Sequence, residues 1–131
     1  MLNDLQLNSI LEDFDIAYWK INLLNKEITW SEHFNTLVGN PEFSESHFDF
    51  FLKEILHQDY RYDFRVYFDK LTEENEAFSI ELKLKLNNGK YRWFECRNLK
   101  NKENNRETAV LLFVNIHQSK RDQYTIVENF F

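Results

Sequence analysis

With 131 residues, 43% hydrophobic and 17% aromatic, the chain is long enough for one domain with a real core and too apolar for disorder. A formal net charge of −6, unrelieved by any basic stripe, argues against nucleic-acid binding, and two Gly and one Pro argue against Gly-rich phosphate loops. The single cysteine, Cys96, excludes an internal disulfide and suits a reducing compartment; with no apolar run near the ~20 residues of a membrane span and no signal-peptide profile, a cytoplasmic protein is expected.

In chain order, residues 2–14 carry Leu7, Ile10, Leu11 and Phe14 at spacings of three and four, which predicts an amphipathic helix. Trp19, Ile21 and Leu23 alternate with Lys20 and Asn22, so residues 16–23 read as a strand. Asn25-Lys26 offers a turn into a second short strand, residues 27–30. Ser31 is then a candidate N-cap for a helix holding Phe34, Leu37 and Val38 and stopping at Gly39. Residues 44–57 include a short helix with Phe48, Phe51, Leu52 and Ile55 on one side. Asp59 is a candidate N-cap for the longest helix, residues 60–74, whose stripe is Tyr60, Phe64, Tyr67, Phe68 and Leu71.

Residues 78–99 carry the clearest pattern, a β-hairpin in which Phe78, Ile80, Leu82, Leu84 and Leu86 alternate with polar residues before Asn88-Gly89. A two-residue loop would set Leu82 against Glu95 and Ile80 against Arg97. A three-residue loop that includes Lys90 instead pairs Leu84 with Phe94 and Leu82 with Cys96, and sets Lys83 against Glu95 and Glu81 against Arg97. The second register is expected, because it keeps charge off the apolar face. It turns Phe94 and Cys96 inward and Trp93 outward, beside Lys85. After a polar loop, residues 108–116 are nearly continuously apolar, as in a strand covered on both faces. Residues 117–131 look helical, with Tyr124, Val127 and Phe131 at helical spacing. The whole is an α+β domain: one antiparallel sheet with helices over one face.

The segments Trp19-Lys20-Ile21-Asn22, Trp30-Ser31-Glu32-His33-Phe34 with Leu37-Val38-Gly39, and Asn88-Gly89-Lys90-Tyr91-Arg92-Trp93 together resemble a PAS domain of the type found in bacterial sensor histidine kinases and related signalling proteins. Ile55-Leu56-His57-Gln58-Asp59-Tyr60-Arg61 resembles a further family segment, with Gln58 in place of a Pro. Asn115-Ile116-His117 stands where Asp-Ile-Thr usually closes the domain. The resemblance covers roughly residues 12 to 118. It implies a five-stranded sheet in the order 2-1-5-4-3, and a division into an N-terminal helix (1–14), a PAS-like domain (15–118) and a C-terminal helical linker (119–131).

The resemblance also frames the chemistry. The family's light-sensing flavin branch carries its reactive cysteine in an Asn-Cys-Arg-Phe-Leu-Gln helix, and residues 44–57 hold no cysteine, so neither flavin nor any other cofactor is expected. Cys96 reads as a small core residue. His33, His47, His57 and His117 have no i, i+4 partner and no Cys/His cluster, which argues against metal and haem. The carboxylates are scattered and no Ser/His/Asp arrangement is legible, so the chain is not expected to be an enzyme.

Trp19, Ile21, Phe34, Phe48, Phe51, Phe64, Leu82, Leu84, Phe94, Cys96 and Phe113 are the candidate lining of a pocket for a small apolar ligand; the competing reading is that they simply fill the core. Leu7, Ile10, Leu11, Phe14, Trp93, Val110, Leu112 and Val114 form the candidate face for helix docking or homodimerisation. The expected function is a sensory or protein-interaction module that signals through its C-terminal helix to an effector such as a histidine kinase or a cyclic-dinucleotide enzyme domain. The alternatives are a ligand-free dimerisation domain and a small cystatin-like, curved-sheet enzyme or carrier. That last reading requires a His–carboxylate pair inside a cavity.

Overall fold

The computed structural model describes residues 4–39, 46–99, 107–117 and 120, without the side chains of residues 4, 5, 7 and 8. The elements are α1 (Asp4–Asp13), β1 (Ile16–Asn22), β2 (Ile28–Trp30), α2 (Glu32–Val38), α3 (His47–Phe50), α4 (Arg61–Glu74), β3 (Ser79–Lys85), β4 (Tyr91–Asn98) and β5 (Thr108–Asn115). The five strands form one antiparallel sheet in the order β2-β1-β5-β4-β3. The linker expected over 119–131 lies, apart from Lys120, outside the described residues, as does the side chain of Leu7.

Local chemistry explains most boundaries. Ser31 Oγ accepts the Phe34 N–H at 3.2 Å and caps α2, and Gly39 ends it at φ 85°. Ser46 caps α3 in the same way, accepting from Asp49 N–H at 3.1 Å. A π-turn over Phe51–Ile55 follows directly and buries Phe51 and Ile55. Beyond it, Leu56 bridges Leu84, and His57 N–H donates to the Lys83 carbonyl at 3.0 Å, so the chain covers part of the β3 edge. Asp59 is not the cap of α4. His57 Nδ1 takes the Asp59 N–H at 3.1 Å to close a 3₁₀ turn over Gln58–Tyr60, and α4 starts from Tyr60 with no side-chain cap.

The hairpin differs from expectation by two residues. Leu82 pairs with Phe94 and Ile80 with Cys96, while Glu81 faces Glu95 and Lys83 faces Trp93. The three-residue loop is Asn87, Asn88 and Gly89: Gly89 N–H donates to the Leu86 carbonyl and Leu86 N–H to the Lys90 carbonyl, each at 2.9 Å. Gly89 sits at φ 83°, and Asn88 Oδ1 accepts the Lys90 N–H at 2.9 Å. Turn geometry therefore outweighs the opposite-charge pairs expected across the strands. The like-charged pair is relieved from other directions, since Arg97 Nε lies 3.5 Å from Glu95 and Lys120 Nζ pairs with Glu81. A slip of two residues preserves the faces, so Leu82, Leu84, Phe94 and Cys96 still point inward. Lys83, rather than Lys85, lies over the Trp93 ring, at 5.0 Å from its centroid.

Gly89 has open space where a Cβ would stand, so only its backbone resists substitution. Gly89→Ala is expected to cost about 1–2 kcal/mol of stability by urea denaturation, with an unchanged m-value.

Candidate functional site

The inner face of the sheet gathers nearly every residue expected around a pocket. Trp19, Ile21, Phe34, Phe51, Phe64, Leu82, Phe94, Cys96 and Phe113 are wholly buried, Leu84 all but so, and Phe48 half-buried. They meet as one cluster of rings and aliphatic side chains. Around the Trp19 indole, Phe51 lies at a centroid distance of 4.6 Å, Phe113 at 5.2 Å, Phe34 at 5.7 Å, and Phe64 and Trp30 at 5.9 Å. Phe48 sits to one side, 4.6 Å from Phe68. At such spacings the rings pack directly against one another.

Trp30 was not among the expected lining residues, although the Ile28/Trp30 alternation would have pointed it inward. It stacks on Trp19 and meets the His47 ring edge-on at 4.7 Å. The Nε1 donors of Trp19 and Trp30 are buried with no hydrogen-bond partner among the described residues. Three clefts of about 410, 530 and 450 Å³ lie elsewhere, and of the expected lining residues only Phe48 reaches one of them.

The Cys96 thiol is enclosed in this core. Burial first, and the Glu95 carboxylate second, push its pKa well up, so it stays protonated and a poor nucleophile at neutral pH. Among the described residues no group of three His, Cys, Asp or Glu side chains could hold a metal ion. A His–carboxylate pair does exist, His33 Nε2 to Asp15 Oδ1 at 2.8 Å, but it stands at the corner where α1 meets β1, with the Asp15 side chain 45% exposed. It is outside the ring cluster, so it does not supply the cavity dyad a curved-sheet enzyme requires.

The outer face is part-covered by the chain itself. Trp93, Val110, Leu112 and Val114 are half-buried, and Tyr18, which alternation also turns outward, is 8% exposed. Tyr60 meets the Trp93 ring at 5.9 Å, and Lys83 and Lys120 lie over it. The backbone of Trp93 is bound on both sides to the chain leaving β5: Ile116 N–H donates to its carbonyl at 3.0 Å, and its own N–H donates to His117 Nδ1 at 3.3 Å. On α1, Leu11 is half-buried and Ile10 41% exposed, and Phe14, in the turn just past its end, is 72% exposed. No helix among the described residues is long and apolar enough to cross a membrane.

The family pattern described as the PAS fold matches residues 27–114. A sensory box histidine kinase/response regulator from Burkholderia thailandensis has a similar solved structure, with a TM-score of 0.64 and 18% identity over 94% of this chain and 93% of that one. The N-terminal domain of a diguanylate cyclase with a PAS/PAC sensor from Marinobacter aquaeolei gives 0.62 at 15% identity, over 80% of this chain and 98% of that one. A domain of a putative light and redox sensing histidine kinase from Haloarcula marismortui gives 0.53 at 14% identity, over 86% and 99%. No curated protein sequence matches the chain.

Two outcomes follow from the filled core. Phe51→Ala should cost about 3–5 kcal/mol in thermal or urea unfolding, and the void should let benzene raise the melting temperature of the variant but not of the parent. Cys96 should resist a thiol reagent at pH 8 until denaturant is added, which a colorimetric thiol assay reads directly.

Proposed function

Because the chain belongs to the PAS-fold family, we propose that it is a sensory and protein-interaction module, not an enzyme, that passes a change of state to an effector through the segment after Ile116. The effector would be a histidine kinase or a cyclic-dinucleotide enzyme domain, the classes of protein in which the similar solved structures occur. No cofactor is required for this reading.

The observation that carries it is the double backbone attachment of Trp93 to Ile116 and His117. β4 lines the core through Phe94 and Cys96 and holds the departing chain through the neighbouring Trp93. A displacement of β4 by a ligand at the core, or by a partner on the outer face, therefore moves the start of the outgoing segment with it.

The closely filled ring cluster favours partner contact over a large resident ligand as the input. A second copy of the chain is the partner that the exposed Ile10 and Phe14 suit, since both are large apolar side chains left open to solvent. Cytoplasmic residence accords with the one buried thiol.

Native mass spectrometry beside denaturing mass spectrometry tests both inputs at once. The expected spectrum is a dimer whose mass is twice that of the chain, shifted to monomer by Phe14→Asp without loss of thermal stability. A monomer with no bound molecule at every concentration sinks the proposal.

A further inference from the structure

The corner between α1 and β1 holds a polar cluster that the apolar core does not account for. Asp15 lies at φ 55°, a left-handed conformation that few residues other than Gly, Asn and Asp accept. Its N–H closes the turn onto the Glu12 carbonyl at 2.9 Å. Its carboxylate reaches two elements far apart in sequence: Oδ1 lies 2.8 Å from His33 Nε2 on α2, and Oδ2 accepts from Asn115 Nδ2 at the end of β5, also at 2.8 Å.

A carboxylate only accepts, so both partners must donate, His33 through Nε2–H and Asn115 through its amide nitrogen. That fixes which way Asn115 faces. Its Oδ1 is left to accept the His117 N–H at 3.0 Å, and His117 Nδ1 in turn accepts the Trp93 N–H. The bonds form a continuous path from α2 through Asp15 to the point where the chain leaves the sheet. At its other end, His33 precedes Phe34, whose ring lies 5.7 Å from Trp19 and 5.0 Å from Phe113.

We propose that Asp15 is a positioning residue that couples α2 to the exit from β5, by fixing Asn115 in the orientation that holds the His117 amide. The proposal rests on the sensory reading above, whose output passes through that exit. As a half-exposed ion contact Asp15 would add little to stability. As a coupler it makes residues 33 and 115 energetically dependent on one another although no direct bond between them is found.

The test uses the 131-residue chain and reads backbone hydrogen exchange at His117, with the Ser31 amide, bonded to the Tyr18 carbonyl at 2.9 Å, as the internal control for global unfolding. His33→Ala should speed exchange at His117 several-fold and leave Ser31 unchanged. The same substitution should have no effect at His117 in an Asp15→Gly background, where the left-handed turn is kept without the carboxylate.

Asn115→Asp should also speed exchange, because it sets two carboxylates at hydrogen-bond distance. Adding Asp15→Asn to it should restore protection, since every bond can re-form with donor and acceptor exchanged between 15 and 115. The proposal is overturned if His33→Ala leaves His117 unaffected, if its effect is equal with and without Asp15, or if the exchanged pair is no better protected than Asn115→Asp alone. Coupling in a chain that is monomeric and free of ligand removes the sensory reading and keeps the Asp15 assignment. Its absence from a dimeric chain removes that assignment alone.

Discussion

Trp19 has to be enclosed on every side, and a single sheet can shield only one face of an indole. β1 supplies the position, with Trp30 across the β2 pairing and Phe113 on β5 as flanking rings. The remaining sides must come from helices: Phe34 from α2, Phe51 from the π-turn and Phe64 from α4. Three separate segments between β2 and β3 are thus held to the sheet through one ring. The π-turn is part of that solution, because it buries Phe51 and Ile55 together before Leu56 reaches β3. Each ring pair contributes about 0.5–1.5 kcal/mol beyond burial, so the enclosure is a collective effect.

What could be read from the sequence was whatever repeats locally. Alternation in β1 and β3 showed which side chains face the core, and serine followed by an apolar helical pattern marked α2. Cross-strand register was harder, because the charge pairs used to choose it contribute less than the loop geometry that opposed them. Gly89 was available as the left-handed residue of either three-residue loop, and only the closing bonds at Leu86 and Lys90 select one. Asp59 has the residue type of a cap, but it lies inside the 3₁₀ turn that His57 caps, and α4 begins only after it, from Tyr60.

The Asp15–Asn115 contact had no local signature at all. The two residues are separated by 100 positions, and nothing in the composition of either neighbourhood calls for a partner. Trp30 failed for the opposite reason. Ile28 and Trp30 do alternate with Thr29, but in a strand of three residues that single repeat carries too little weight to assign the ring to the core it helps to close. The inward faces of the longer strands follow from period, while the polar ties at the corner of the sheet follow only from the folded arrangement.

The cover over the β3 edge has a consequence for assembly. Leu56 and His57 occupy the backbone of Lys83 and Leu84, so a strand from another molecule cannot run along β3 in continuous register. A fibre built edge to edge needs two open sides on every subunit, one to receive and one to offer. Here the sheet ends in one interrupted side and one side only three residues long, Ile28–Trp30. Growth by strand addition is self-limiting in such a subunit, which leaves the broad faces, rather than the edges, as the surfaces through which copies of this chain can meet without polymerising.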